Sequence, residues 1–450
     1  MLRIPLIKDI IELDKVLAGN TSQYNTFYKM RYTPNTYTLS NGLNVILDDF
    51  DIATACVEIA IHSGATDESD ASEFGITHFV EHMLSKGTRQ HPDTMDNTTN
   101  IPISIGGVRN AGTTYDKMCL FGRVLAENLD KLLELFSEQL SDSMFDPHKI
   151  EIERGVILDE YRRKMMDSVA TFNVFSDEKL FGTHNILGTP DTIKLFTREH
   201  LIDYFHKVLS AQNMTICISG KITNPEKTLH KLEKLFGWIP AFQMSHTQQK
   251  ITPIIAHNLK DDQPNIQLRI AFENTIPNDL KHRYQTLAIN RFRFLFSKKL
   301  HEIVRNKLGM AYGISTARME RATVSAHTIN TSTSPQNIDT IIATLARECA
   351  SAQQNPEITD DDVARSCMLM KLQFADIMES APKRCGKLLE HWHQYGTLYN
   401  PMGEMYTNDQ MTKSDIIDAT KDFFTPPVSI LTQGPDVKSD LKQIWTANFK

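Results

Sequence analysis

The chain has 450 residues, of which 41% are hydrophobic and 23% are charged. This composition is ordinary for a globular protein and excludes a disordered or collagen-like chain, and the length predicts two large domains or three smaller ones. The 48 Lys and Arg residues against 55 Asp and Glu residues give a net charge of −7, which argues against nucleic-acid binding as the main role. The charge is weakly compatible with a cationic substrate, but solubility alone also explains it.

The first 17 residues are apolar, but Lys8, Asp9 and Glu12 interrupt them. A secretory signal does not carry such charges in its apolar core, so this segment predicts a short amphipathic helix. No run of 18 apolar residues occurs, which predicts that the chain has no membrane span. The six cysteines form no C-x-x-C pair, a pattern typical of buried thiols in a reducing compartment. We therefore expect an intracellular protein that is not secreted.

The first half of the chain alternates between strand and helix patterns. The dipeptide Asn41-Gly42 between apolar stretches is a strong hairpin signal. Apolar alternation predicts strands, and apolar residues three and four apart predict helices. The elements expected are the hairpin at 37–47, a strand at 55–62, a helix at 74–86, extended chain at 108–124, helices at 124–145, 150–167 and 197–208, and a strand at 213–219.

The same order returns in the second half. The elements expected there are a strand at 265–272, helices at 283–306, strands near 311–332, helices at 336–353, 359–378 and 381–396, and a last strand at 428–434. The endings MTICISG and VSILTQG echo each other. The pattern predicts an α+β protein of two related halves, each a sheet flanked by helices. The predicted boundaries are an N-terminal extension at 1–36, a first half at 37–225, a linker at 226–250 and a second half at 251–450.

The stretch ITHFVEHMLSKGT carries the motif His78-x-x-Glu81-His82. Two histidines four apart on a helix lie on one face and can share a Zn²⁺ ion at ~2.0–2.1 Å from each nitrogen. Glu81 projects to the same side, where a carboxylate can take a proton from zinc-bound water. The alternative interpretation is a pair of helix histidines beside a solvated glutamate.

A catalytic zinc site needs a third protein ligand and an open fourth position. The helix expected at 150–167 offers Glu153 and Glu160, which are seven residues apart and share one face. Both lie beside apolar residues, where a carboxylate needs a partner. The alternative is a pair of surface acids.

These motifs together resemble the pitrilysin and mitochondrial-processing-peptidase family of inverzincin zinc peptidases. The chain has the His-x-x-Glu-His motif, Gly87-Thr88 after it, the stretch GGVRNAGT at 106–113, and the two glutamates seven apart. The short two-half members, the processing peptidase β subunit and its bacterial homologues, are the most similar. The resemblance implies that His78, His82 and Glu160 hold Zn²⁺, and that Glu81 is the general base. It also implies that Glu153 orients a ligating histidine.

The resemblance extends into the second half. The segment RNKLGMAY is similar to the family's Arg-x-x-x-x-x-x-Tyr segment, which implies that Arg305 and Tyr312 stabilise the tetrahedral intermediate as donors. Asn110 and Ala111 match the edge strand to which substrate adds as an extra strand. The family fold implies two halves, each with a mainly antiparallel sheet, that enclose a central cleft.

The resemblance implies a zinc metalloendopeptidase that hydrolyses unstructured peptides or presequences. An alternative is the catalytic β-type subunit of an organellar presequence-processing peptidase. A non-catalytic scaffold subunit is a third hypothesis, against which the intact motif argues. The resemblance implies a homodimer, or a heterodimer with a related subunit, in the bacterial cytoplasm or in the matrix of a mitochondrion-related organelle.

Overall fold

The computed structural model describes residues 32–252, 256–277, 279–424 and 426–450. The helix predicted within residues 1–17 lies outside the described residues. The chain divides into two compact units. The first unit comprises residues up to 163, 184–247 and 373–400, and the second comprises 164–183, 248–372 and 401–450.

The strands are β1 (Asn35–Thr38), β2 (Asn44–Asp49), β3 (Thr54–Ile61), β4 (Gly107–Thr113), β5 (Met118–Leu125), β6 (Met214–Gly220), β7 (His257–Lys260), β8 (Ile266–Glu273), β9 (Ala311–Glu320), β10 (Ser325–Thr333) and β11 (Val428–Gly434). The helices are α1 (Ile76–Met83), α2 (Ile101–Ser104), α3 (Leu129–Ser141), α4 (Pro147–Met166), α5 (Ser168–Phe181), α6 (Pro190–Leu195), α7 (Arg198–Val208), α8 (Pro225–Phe236), α9 (Arg283–His301), α10 (Ile338–Gln354), α11 (Asp360–Met378), α12 (Ala381–Tyr395), α13 (Pro401–Gln410), α14 (Lys413–Phe423) and α15 (Leu441–Asn448). Among the described residues, no helix combines the length and apolarity needed to cross a bilayer.

The sheet of the first unit has the strand order β1-β2-β6-β3-β5-β4. The β2–β6 contact is parallel and the other contacts are antiparallel. Helices α1, α3, α7 and α8 bury their apolar faces in the same core as the sheet, as Phe79, Phe136 and Phe236 illustrate. The strand β4 forms one edge of this sheet, and this edge lies beside α1.

The sheet of the second unit has the order β7-β11-β8-β10-β9, again with one parallel contact, between β11 and β7. When the strands are counted from β2 in the first unit and from β7 in the second, both sheets follow the order first, fifth, second, fourth, third. The directions of the corresponding contacts are also the same. The α+β class predicted from the sequence pattern, with the two mainly antiparallel sheets that the family resemblance implies, is thus confirmed.

The two units interleave along the chain, whereas the predicted boundaries are sequential. The range predicted as a linker, 226–250, contains most of α8, whose Leu232 and Phe236 are buried in the first unit. The helix α5 occupies a stretch for which the sequence pattern predicts no element, and it belongs to the second unit. The segment 373–400, with α12, belongs to the first unit.

A buried ion pair fixes α12 within the first unit. Arg384 Nε donates to Asp48 Oδ2 at 2.7 Å, and Arg384 Nη2 donates to Asp48 Oδ1. Both side chains are buried, and the Arg384 guanidinium stacks on Phe50 at 3.8 Å from the ring centroid. Ser219 also donates to Asp48. Because the pair joins residues 336 positions apart, it holds the returning segment to the strand β2.

We expect Arg384→Met to destabilise the first unit by about 3–5 kcal/mol, because the Asp48 carboxylate would stay buried without its charged partner. Urea denaturation followed by circular dichroism measures this change. Lys383→Met is the matched control, since Lys383 lies in the same helix and pairs with Asp376 at the surface. Equal stability of the two variants would contradict the role of the buried pair.

Candidate metal centre

The helix α1 begins in a tightly defined turn. Gly75 has a φ of 93°, and a Cβ there would lie 2.6 Å from the Leu187 carbonyl oxygen, so glycine is required. The buried Glu68 carboxylate accepts hydrogen bonds from the backbone N–H of Gly75 at 2.7 Å and of Thr77 at 2.9 Å. His184 Nε2 lies 2.6 Å from the same carboxylate. Glu68 therefore satisfies free N–H groups at the start of α1 and sets the rotation of the helix.

The helices α1 and α4 bring His78, His82 and Glu160 together. The His78 Nε2 atom lies 3.8 Å from Glu160 Oε2, and the His82 Nε2 atom lies 3.7 Å from the same oxygen. One ligand atom from each of the three residues lies within 4.8 Å of the other two. Among the described residues, this is the only group of three or more His, Cys, Asp or Glu side chains arranged in this way.

These distances fit a zinc ion. Two atoms that each bind one metal at ~2.0–2.1 Å are at most ~4.2 Å apart, and both nitrogen-to-oxygen separations fall below that limit. Two imidazole nitrogens and one carboxylate oxygen are ligands that zinc commonly takes, and three of them leave the fourth position open. The site is also accessible, because the Glu160 side chain is 40% exposed.

Glu153 contacts one of the histidines. Its Oε2 atom lies 2.9 Å from His82 Nδ1, and its Oε1 atom lies 2.9 Å from Lys86 Nζ. Burial raises the pKa of Glu153, but the hydrogen bonds from His82 and Lys86 outweigh it and hold the pKa below its usual value. A carboxylate in contact with His82 Nδ1 favours the tautomer whose Nε2 lone pair is free to bind a metal.

Glu81 lies on α1 between the two histidines of the motif. Its side chain is buried, and this burial raises the pKa of the carboxyl. Electrostatic interactions with His82 and Arg109 act in the opposite direction. Thr113, on the edge strand β4, donates to Glu81 Oε2 at 3.4 Å. A carboxyl with a raised pKa beside a metal site is suited to accept a proton and later return it.

Asn110 and Ala111 lie on the edge strand β4, as expected. Asn110 is exposed, and its Oδ1 accepts a hydrogen bond from the Ala111 backbone N–H at 2.9 Å. One side of β4 pairs with β5, and among the described residues no strand pairs with the other side. That side offers backbone N–H and C=O groups to an extended peptide.

Arg305 and Tyr312 lie in the second unit and contact each other. The Arg305 guanidinium carbon is 4.7 Å from the centroid of the Tyr312 ring, and Arg305 Nη1 is 3.1 Å from His301 Nε2. Tyr312 is 87% exposed, so its hydroxyl is not used in the core of the unit. Their role as oxyanion donors stays a prediction.

Sequence reasoning missed Glu68, Lys86 and Arg109. Glu68 precedes α1 by eight residues, and no local spacing rule links such a position to a helix start. Lys86 follows His82 by four residues, so helical spacing could have placed both on one face. Arg109 lies within the recognised stretch at 106–113, and burial lowers its pKa to about 10 while the Glu81 charge opposes that shift.

Comparison with known proteins identifies relatives over most of the chain. An uncharacterized zinc protease of Rickettsia bellii is 27% identical over 90% of this chain and 99% of its own length. The mitochondrial-processing peptidase subunit beta of Dictyostelium discoideum is 28% identical over 54% of each chain. The crystal structure of the periplasmic protease PqqL from Escherichia coli superposes with a TM-score of 0.76 at 17% identity, over 93% of this chain and 50% of that one.

The expectation of an intracellular protein that is not secreted is contradicted by these comparisons, because PqqL is periplasmic. The cysteine pattern does not distinguish a reducing compartment from an oxidising one. All six are free in the structure, and five are buried, with burial raising the pKa of thiols such as Cys119. A buried thiol with a raised pKa resists oxidation in an oxidising compartment as well as in a reducing one.

Two family descriptions match successive parts of the chain. Residues 44–177 match Insulinase (Peptidase family M16), and residues 195–370 match the Peptidase M16 inactive domain. The first match contains all three residues of the candidate metal centre, and the second contains Arg305 and Tyr312. The two matches together cover more than half of the sequence, and the chain belongs to peptidase family M16.

Proposed function

We propose that this protein is a zinc-dependent endopeptidase that hydrolyses unstructured peptides. The observation that carries the proposal is the convergence of His78, His82 and Glu160 beside the buried Glu81. Membership of a peptidase family whose relatives are named zinc proteases supports it.

Each proposed site residue has a separate chemical role. Zn²⁺, when bound, supplies Lewis acidity that lowers the pKa of water to about 7 and polarises a carbonyl. Glu81 accepts the proton of the attacking water and delivers it to the leaving nitrogen. Glu153 keeps His82 in the tautomer that can bind the metal. The free side of β4 holds the peptide backbone in an extended conformation, which favours peptides without tertiary structure.

Arg305 and Tyr312 complete the proposal as donors to the oxyanion that develops on the scissile carbonyl. Their mutual stacking and the exposure of Tyr312 support this role. Loss of one such donor costs ~10²–10³ in kcat. The phenolic hydroxyl is the donor, so Tyr312→Phe tests the role without changing the ring that stacks on Arg305.

A second candidate substrate class is basic presequence-like peptides. The similarity to a mitochondrial-processing peptidase subunit beta and the net charge of −7 favour it. That relative also supports assembly with a related subunit as an alternative to a homodimer. The competing hypothesis is a scaffold protein that cleaves no peptide, and a protein found to bind no zinc would favour it.

We expect Glu81→Gln to reduce peptide cleavage by at least ~10²-fold while zinc remains bound, because the amide cannot accept the proton but is not a metal ligand. The measurement uses a mixture of 15–30-residue peptides, including basic ones, with chelator treatment, zinc restoration and metal analysis. Glu151→Gln is the control, since Glu151 lies on α4 with its side chain 66% exposed. Full activity of Glu81→Gln would refute the assignment.

We expect Glu153→Gln to weaken zinc affinity about 10–100-fold, because the neutral amide no longer fixes the tautomer and orientation of His82. Competition with a chromophoric chelator measures the affinity without any substrate. Glu151→Gln again serves as the control on the same helix. Unchanged affinity of the Glu153 variant would show that the contact with His82 does not tune the site.

A further inference from the structure

A pocket of about 330 Å³ opens on the second unit, on the face of the sheet that α5 covers. Its polar lining comes from α5 and from the neighbouring strands β8, β10 and β9. The polar lining includes Asn173, Arg269, Ser315, Asn330 and Thr331. The strand pairing sets Arg269 opposite Asn330, and Asn330 opposite Ser315, so these three form one row across the sheet.

Arg269 is the unusual residue of this pocket, because its side chain is 92% buried and its partners are neutral. Nε donates to Asn330 Oδ1 at 2.7 Å, and Nη2 donates to Asn173 Oδ1 at 2.9 Å. The guanidinium carbon lies 5.2 Å from the centroid of the Phe172 ring. Among the described residues, Nη1 has no hydrogen-bond partner, and no carboxylate forms an ion pair with Arg269.

The arginine therefore lacks a counter-ion of its own. Asp177 attracts it electrostatically, but the Asp177 carboxylate forms its ion pair with Arg321. Burial lowers the pKa of Arg269, which reflects the cost of holding the cation away from water. Arg384 in the first unit shows the contrast, because its buried guanidinium has the Asp48 carboxylate. A buried cation with unmet donors is stabilised strongly by an anion that reaches it.

The lining selects the type of anion. Arg269 is the only cationic residue among those that line the pocket, so the site compensates one negative charge. A planar guanidinium edge matches a carboxylate, whereas a doubly charged phosphate group calls for further cations. The volume lies at the lower end of the ~300–1,000 Å³ range of ligand sites, which suits an acidic side chain or a chain terminus.

The pocket also lies beside the residue proposed to act on substrate. Gly313, which follows Tyr312 on β9, lines it, and a Cβ added at Gly313 would meet nothing within 4 Å. The mouth of the pocket is therefore open at this point of the strand.

We propose that this pocket binds one carboxylate of a peptide substrate through the Arg269 guanidinium. The carboxylate comes from an acidic side chain or from the peptide's C-terminus. The assignment of the ligand as a peptide rests on the proposed peptidase function, whereas the carboxylate specificity rests on the pocket alone.

Binding to the Glu81→Gln protein tests the proposal without cleavage. Calorimetry compares three peptides of equal length: an uncharged amidated peptide, the same peptide with one Glu, and the same peptide with a free C-terminal carboxylate. We expect one carboxylate peptide to bind about 10-fold more tightly than the uncharged one, which is ~1.4 kcal/mol. The peptide that gains affinity identifies the source of the carboxylate.

Arg269→Met, added to Glu81→Gln, is expected to abolish this preference. Arg365→Met removes the same charge from an exposed site on α11 that does not line the pocket, so it should preserve the preference. A preference that survives Arg269→Met, or no preference in the zinc-loaded parent protein, overturns the proposal. This binding test does not measure cleavage. The peptidase hypothesis is tested separately, and it fails if the protein without these substitutions cleaves no peptide.

A second variant, Asn330→Asp, distinguishes loss of carboxylate binding from a folding defect. The aspartate side chain has nearly the same size and shape as the asparagine side chain, and its carboxylate gives Arg269 Nε an ion-pair partner within the protein. We expect this variant to lose the preference for carboxylate peptides and to gain thermal stability, measured as an increased Tm. Retained preference together with an unchanged or lower Tm would show that Arg269 needs no anion.

Discussion

The proposed chemistry of this protein depends on holding two imidazoles of one short helix against a carboxylate of another. The helix α1 has only eight residues, too few to be stable without tertiary contacts. Glu68 fixes its start through the N–H groups of Gly75 and Thr77, and Glu153 fixes the His82 ring near its end. Both carboxylates are buried, and each accepts more than one hydrogen bond, so the histidines are positioned before any metal arrives.

The two units use one strand order for different tasks. Each sheet has the same sequence of neighbours and the same single parallel contact, so the helix that follows the second strand has the same topological position in both. In the first unit that helix is α1, with the histidine pair. In the second unit it is α9, followed by the π-helical segment Glu302–Lys307, which contains Arg305. Among the described residues, the second unit thus has the same strand order but no group of metal-ligating side chains, and it contains Arg305 and Tyr312, the proposed oxyanion donors.

Sequence predicted the fold class because its signals are local. The apolar spacing of α1, α3 and α4 and the alternation of β3 and β6 need only neighbouring residues to be recognised. The interleaving of the units was missed, since an apolar helix face does not specify the sheet on which it packs. The partner of Asp48 lies 336 residues away, and the buried state of Arg384 cannot be read from its own surroundings in the sequence. The candidate site was easier to predict because the motif concentrates three of its residues in five positions.

Two buried arginines of this chain, Arg384 and Arg269, differ in role: the first makes a structural contact, and the second is proposed to bind a ligand. An anion compensates the charge of a buried guanidinium, and the source of that anion differs between Arg384 and Arg269. Arg384 receives a carboxylate from its own unit, and the result is a fixed helix. Arg269 receives amide oxygens from Asn173 and Asn330 and faces an open pocket. The amides hold the side chain in place while its charge stays available, so its stabilisation is completed by a ligand.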